Sequence, residues 1–187
     1  MKFFVFISFI SLLSCTSNNC PSLDTKGYPK NINVNYLISD KEKLGSKNDF
    51  LNYLENNKKV LYPFYEIEDT FNLDFKVNNI YSLVDNVYFD SLYRDVQDEF
   101  KNKKNLFLKL DHSIGVYNTT SKKQLNPQVT VLLSGFYNDV VVDKENIVLG
   151  IEYFLNKDNK YKPRDLPSYI LERYTPDHMN STMLSTY

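Results

Sequence analysis

Residues 129–154 have the sequence VTVLLSGFYNDVVVDKENIVLGIEYF, which contains three apolar segments separated by polar turns. β-Branched and aromatic residues are frequent in all three segments, and such residues favour strands. The predicted strands are 129–136, 139–142 and 147–154. The polar sequence DKEN at 143–146 suits a hairpin between the last two strands, and the nearly unbroken apolar run of the third predicts a central strand. This stretch therefore predicts an antiparallel sheet.

Helices are predicted upstream of the sheet. Ser46 is a good N-cap, followed by Asp49, for a helix that fades by 57–59. Pro63 prevents a longer helix because a proline removes a backbone donor. The aromatic-rich segment 60–75 predicts a short strand or extended pieces.

The strongest helical pattern covers residues 79–103, where apolar residues recur every three or four positions without glycine or proline. A break is compatible with this pattern near Asp90 or Ser91, since either residue can cap a second helix. Leucines at alternate positions in 106–110 predict a further strand. Asp165 can cap a helix and Pro167 suits its first turn, so residues 165–174 are predicted to form a short final helix.

Helices followed by strands and a short closing helix are typical of α+β proteins. We predict N-terminal helices packed on one face of an antiparallel sheet, with a short C-terminal helix. One domain is expected over residues 36–175, a length sufficient for a hydrophobic core. Residues 176–187 are predicted to form a flexible tail.

The first residues of the chain, MKFFVFISFISLLS, combine a positive charge at Lys2 with an apolar run from Phe3 to Leu13. This run has the length of a signal-peptide core and is shorter than the ~20 residues that span a bilayer as a helix. Residues 1–14 are therefore predicted to be a signal peptide. Residues 15–35 are rich in Ser, Asn and Pro and are predicted to be a linker, because they offer little to bury.

The sequence Leu12-Leu13-Ser14-Cys15 follows the apolar run directly. It resembles the lipobox of bacterial lipoproteins, with an aliphatic residue at Leu12, a small residue at Ser14 and then the cysteine. The resemblance implies acylation of Cys15, cleavage just before it and membrane anchoring outside the cytoplasm. Acyl chains such as palmitate contribute about 0.8 kcal/mol per buried methylene, and two or more chains anchor a protein stably. The alternative is an ordinary signal peptide of a secreted protein.

Charge and cysteine content restrict the functional classes. The formal net charge of −1 provides no bulk attraction to nucleic acid, so no nucleic-acid partner is predicted. The two cysteines, Cys15 and Cys20, both precede the predicted domain. The domain is therefore neither held together by disulfides nor a cysteine-ligated zinc module.

No sequence motif of catalysis, phosphate binding or metal binding occurs, so we assign no catalytic residue and expect no cofactor or metal. Asp111 and His112 are the candidates for a functional site, because His112 is one of two histidines and lies near the end of a predicted strand. Adjacent residues of a strand point to opposite faces, so the pair is not a ready ligand set. Ser134 precedes a glycine, but nothing marks it as a nucleophile.

We therefore expect an exported, lipid-anchored envelope protein that binds another macromolecule, namely a protein partner. One specific form is an immunity protein that neutralises an effector toxin. A first alternative is an envelope hydrolase that uses His112 and carboxylates such as Asp95 and Glu99. A second alternative is a secreted viral or parasite protein that binds a host factor, with glycans at the sequons of Asn118 and Asn180.

Overall fold

The computed structural model describes residues 31–37, 44–67, 73–101, 103, 105–163 and 166–187. In chain order its elements are β1 (Asn33–Tyr36), α1 (Lys47–Asn56), α2 (Lys58–Phe64), α3 (Leu73–Val84), α4 (Phe89–Phe100), α5 (Leu108–Thr120), β2 (Gln128–Leu132), β3 (Val140–Asp143), β4 (Asn146–Gly150), a 3₁₀ helix (Ile151–Phe154), α6 (Ser168–Leu171) and α7 (Pro176–Thr186). The predicted signal peptide, both cysteines and the linker up to residue 30 lie outside the described residues. No helix within the described ranges combines the length and the apolar character that crossing a bilayer requires.

The described strands form one sheet in the order β1-β2-β4-β3. β3 and β4 form the predicted antiparallel hairpin, whereas β2 pairs in parallel with both β1 and β4. The α+β class is thus confirmed, but the sheet is mixed and not purely antiparallel. The physical reason lies in residues 133–139, which we call the crossing loop. They carry the chain past the position of β4, so that the returning hairpin inserts β4 between β2 and β3.

Both faces of the two central strands are covered by protein. Residues of β2 from Val129 to Leu132 are at most 3% exposed, and residues of β4 from Ile147 to Leu149 at most 1%. Because successive side chains of a strand point to opposite faces, neither face of these strands is open to solvent. Parallel strands buried on both sides have unbroken apolar sequences, which is the pattern that β4 shows.

All three predicted helical regions contain helices, and the third is α6, which lies within residues 165–174. The Ser46 hydroxyl caps α1 by accepting a hydrogen bond from the Asp49 amide at 3.1 Å. Residues 79–103 contribute to α3 and α4, which are separated by a turn at residues 85–88, just before the expected break. α3 begins earlier than predicted, at Leu73.

The prediction of a short strand or extended pieces over residues 60–75 is wrong, because this segment contains most of α2 and the start of α3. Leu61 and Phe64 lie three positions apart on one face of α2 and are fully buried. Pro63 is accommodated in the last turn of α2, where it costs one backbone hydrogen bond. Burial of this face therefore outweighs the local preference against a helix.

Residues 106–110 were predicted to be a strand. This prediction is wrong, because α5 begins at Leu108 within this segment. Leu110 and Ile114 are buried at a spacing of four, so the leucines fit a helical period as well as an alternating one. Asn180 of α7 caps the start of α5. Its Oδ1 accepts from the Leu110 amide at 3.2 Å, and its Nδ2 donates to the Leu106 carbonyl at 2.8 Å. A residue distant in sequence thus satisfies backbone groups that local side chains leave open.

The two ends of the described chain also differ from the predictions. Residues 176–187, predicted to be a flexible tail, form α7, whose Met179 and Met183 are fully buried. This prediction is wrong because two methionines among polar residues give a weak helical pattern, although both pack into the core. β1 begins at Asn33, within the predicted linker 15–35, and its mostly exposed side chains lack the alternation of a half-buried strand.

Candidate binding groove

The crossing loop contains two consecutive residues in the left-handed region, Gly135 with a φ of 73° and Phe136 with a φ of 67°. For a residue other than glycine this conformation costs roughly 1–2 kcal/mol. Gly135 also lies against α3, since a Cβ atom at this position would come within 2.9 Å of the Leu83 Cβ. Backbone strain of this kind persists only where the surroundings hold the chain in place.

Glu152, in the 3₁₀ helix, is the side chain that holds this loop, and it is 1% exposed. Its Oε1 accepts hydrogen bonds from the Ser134 amide at 2.8 Å, the Ser134 hydroxyl at 2.5 Å and the Phe136 amide at 2.9 Å. Its Oε2 is buried without a hydrogen-bond partner among the described residues. Burial raises the pKa of Glu152 above its ordinary value, and the hydrogen bonds oppose that rise.

Ser134 serves as an anchor for the crossing loop. It is fully buried, and its hydroxyl donates to Glu152 while accepting from the Tyr137 amide at 3.0 Å. A nucleophilic serine needs a hydroxyl that substrate can reach. This hydroxyl is buried, and it both donates and accepts a hydrogen bond. The Ser134–Glu152 pair therefore stabilises the loop and does not form a catalytic dyad.

Other side chains fix the crossing loop to its neighbours. The Tyr137 hydroxyl at 2.9 Å and the Asn138 amide at 2.8 Å donate to backbone carbonyls at the C-terminal end of α2. The Tyr153 hydroxyl donates to the Phe136 carbonyl at 2.7 Å, and burial raises the pKa of Tyr153. The loop is thus held by α2 on one side and by the 3₁₀ helix on the other.

The crossing loop forms one wall of a groove with a volume of about 760 Å³. The turn between α3 and α4, the 3₁₀ helix, residues 160–163 and Leu166 provide the other walls. The described lining residues are Leu83, Asn86, Tyr88, Phe89, Leu92, Gly135, Phe136, Tyr153, Lys160, Tyr161, Lys162, Pro163 and Leu166. A volume of this size is typical of sites for small molecules.

The groove has an apolar floor and a basic end. Phe89 and Leu92 are each 4% exposed, whereas Tyr88 at the rim is 64% exposed. Lys160 and Lys162 are the charged residues among the described lining, which includes no carboxylate. Burial lowers the pKa of Lys162. The groove therefore offers apolar contact together with positive charge.

The candidate residues Asp111 and His112 lie on α5 and are not part of the groove lining. The Asp111 Oδ1 accepts hydrogen bonds from the amides of Asn31 at 2.7 Å and Ile32 at 3.2 Å. This carboxylate therefore fastens the chain immediately before β1. Within the part of the chain that the structure describes, no three His, Cys, Asp or Glu side chains gather as a metal site would require.

The carboxylates considered for the hydrolase alternative bind separate neighbours. Asp95 accepts a hydrogen bond from the Asn159 side chain at 3.0 Å, and Glu99 pairs with Lys103 at 2.6 Å. Both groups lie on α4, which has a buried face formed by other residues. Their contacts are those of surface carboxylates, for which ion pairs add little stability.

The side chains of both sequon asparagines form hydrogen bonds within the fold. The Asn118 amide nitrogen donates to the Leu125 carbonyl at 2.8 Å, and the buried Asn180 uses its amide nitrogen in the cap of α5. An N-linked glycan needs the same nitrogen in an accessible position. This geometry argues against glycans at Asn118 and Asn180 in the folded protein.

Sequence reasoning missed Glu152 and the groove. The available signal was a glutamate inside the apolar run of residues 147–155, because a buried charge requires hydrogen-bond partners. Its partners at Ser134 and Phe136 come from a loop whose positive φ at a phenylalanine no local pattern predicts. The groove itself joins segments that are distant in sequence.

The chain matches a known protein family over most of its length. A family model described as gliding motility protein GldB, a lipoprotein family, matches residues 22–187 and so includes every described residue. The match supports the lipoprotein class and an envelope location, while Cys15 itself precedes the matched range. No curated protein and no solved structure shows significant similarity to the chain.

Proposed function

The chain belongs to the gliding motility protein GldB family, and on this basis we propose that it is a lipid-anchored binding module of an envelope motility machinery. The groove binds a segment of a protein partner. The observation that carries this proposal is a concave site with an apolar floor and an exposed aromatic rim, walled by a loop that Glu152 holds in a strained conformation. Preorganised sites with few polar groups suit binding.

Other functions receive less support. An immunity protein against a toxin was one expectation, but no residue and no match points to a toxin, whereas the family description concerns gliding motility. The hydrolase alternative would need Asp111, His112 and carboxylates such as Asp95 and Glu99 to meet in one pocket. None of these residues lines the groove, Asp111 is occupied by backbone amides, and Asp95 and Glu99 bind separate neighbours.

The proposal predicts that Tyr88→Ala impairs function and that Phe75→Ala does not. Both residues are exposed aromatics, at 64% and 67%, but Phe75 does not line the groove. In the host organism, a strain lacking the gene would be complemented with the wild type or with either variant, and surface gliding would be measured. We expect the Tyr88→Ala strain to lose most of its gliding and the Phe75→Ala strain to match the wild type.

Immunoblots of membrane fractions establish that both variants accumulate and remain anchored. Normal gliding with membrane-bound Tyr88→Ala protein would contradict a function for the groove. A deletion strain that glides normally but becomes susceptible to toxins of neighbouring cells would replace the motility proposal with the immunity function.

A further inference from the structure

We propose that the occupant of the groove is an extended peptide segment of the partner that carries a large apolar side chain beside a carboxylate. This inference rests on the proposed function, which assigns a protein partner to the groove, and specifies the chemistry by which that partner is recognised. Two features of the lining support it, the apolar floor and the basic end.

The floor suits a large apolar side chain. Phe89, Leu92 and Tyr153 form it, and Phe136 and Tyr161 stand among the walls. The Phe136 and Tyr153 rings form an edge-to-face pair at a centroid distance of 5.2 Å, so these two rings are already packed against each other. A side chain that enters between such walls buries apolar surface without forcing the protein to rearrange.

The basic end suits a carboxylate. The Lys162 ammonium donates to the carbonyls of Asn156 at 2.8 Å and Leu155 at 3.4 Å, which leaves one of its three donors. The Lys160 ammonium lies 4.9 Å from the Tyr161 ring centroid and 3.5 Å from the Ser91 hydroxyl.

Neither ammonium makes a salt bridge with a carboxylate of the described residues. The negative charge of Asp158, which is not among the lining residues, raises the pKa of Lys162 and so partly opposes the effect of burial. Two cations beside an apolar floor, with no carboxylate among the described lining residues, are complementary to an acidic ligand. A partner segment would therefore place its carboxylate between Lys160 and Lys162.

The lining also favours a peptide over two other ligand classes. Sugars present many hydroxyl donors, but besides tyrosine hydroxyls the described lining offers a single side-chain amide, Asn86, and no carboxylate to accept them. A bilayer surface is broad, whereas the floor residues Phe89 and Leu92 are almost fully enclosed by the groove walls. The Asn86 Oδ1 accepts from the Tyr88 amide at 3.0 Å, so its amide nitrogen is the group that can meet a peptide carbonyl.

The test uses a random peptide library displayed on phage and the full chain purified in detergent. Peptides selected by the wild type are sequenced, and the best binder is synthesised with its acidic residues intact or changed to amides. Fluorescence anisotropy then gives the affinity of both forms. We expect selected peptides to combine aromatic or large aliphatic residues with aspartate or glutamate, and the amide form to bind at least tenfold more weakly.

Lys160→Gln/Lys162→Gln is expected to weaken the acidic peptide about tenfold and to leave the amide form unchanged. Lys157→Gln is the matched control, because Lys157 is an exposed lysine of the same segment outside the groove lining. Lys160→Gln alone provides a second variant, since the Lys160 ammonium makes no hydrogen bond to the backbone of the described residues.

Three results would overturn the inference. Selected peptides could require Tyr88 for binding but lack acidic residues and bind the lysine variants as tightly as the wild type. The groove would then bind peptides as proposed, and the inference that it recognises a carboxylate would be wrong. If soluble short-chain phosphatidylglycerol binds in a lysine-dependent manner and no acidic peptide is selected, the ligand is a lipid. If no selected peptide depends on Tyr88, the proposed function fails together with the inference.

Discussion

At Glu152 a carboxylate sits where water does not reach it, and its Oε1 is the common acceptor for three donors of the crossing loop. A buried acceptor of this kind stabilises the loop chiefly because its removal would leave buried amides unpaired, at about 1–3 kcal/mol for each group. The loop carries Phe136, a groove wall, in a strained conformation. Glu152 is therefore a positioning residue for the groove.

The ionisation of Glu152 predicts a pH dependence of stability. Burial raises the folded-state pKa of Glu152 above its ordinary value of 4.5. Between pH 4.5 and the raised folded-state pKa, the native state retains a proton on Glu152 that the unfolded state releases. The free energy of unfolding therefore falls as pH rises through this window. Glu152→Gln keeps an acceptor oxygen and cannot ionise. We expect the free energy of unfolding of Glu152→Gln, relative to that of the wild type, to increase as pH rises above 4.5.

Urea denaturation at a series of pH values measures this difference. Glu145→Gln is the matched control, since Glu145 is exposed in the turn of the hairpin. Parallel pH profiles for the wild type and Glu152→Gln would show that the folded-state pKa of Glu152 is not raised.

Among the elements, those with strong local patterns were predictable and those fixed by distant contacts were not. Ser46 caps α1 through its own turn, and the β3–β4 hairpin follows from adjacent apolar segments around a polar turn. The parallel pairing of β2 with β4 depends on where the crossing loop leads the chain. α5 depends on Asn180 of α7 as a cap. The Phe136 conformation depends on Glu152.

α7 provides a prediction at the scale of the element. Met183 is fully buried, whereas its neighbour Leu184 is 41% exposed. Truncation of a buried methionine costs about 2–5 kcal/mol, because it removes apolar contacts and leaves a cavity. We therefore expect Met183→Ala to lower the free energy of unfolding by that amount, measured by urea denaturation.

Leu184→Ala is the control and should change the free energy of unfolding by less than about 1 kcal/mol, since exposed positions tolerate substitution. Equal effects of the two substitutions would mean that α7 is not packed into the core in solution. The cap that Asn180 gives to α5 would then be absent as well.

At the scale of the whole molecule, the proposed function combines a membrane anchor with a binding groove. The anchor was predicted from the sequence around Cys15, and the family match over residues 22–187 supports the lipoprotein class independently of that sequence. The groove could not be predicted, because its lining comes from the α3–α4 turn, the crossing loop, residues 160–163 and Leu166, which meet only in the fold. The envelope location explains why a binding surface would be held at a membrane.

Mass spectrometry of the mature N-terminus tests this account most directly. Protein extracted from membranes of the native host is digested, and the N-terminal peptide is compared with that of Cys15→Ser. We predict a wild-type peptide that begins at Cys15 and carries a diacylglyceryl group, and a Cys15→Ser protein that lacks the modification. An N-terminus that begins elsewhere, or an unmodified Cys15, would contradict the lipid anchor.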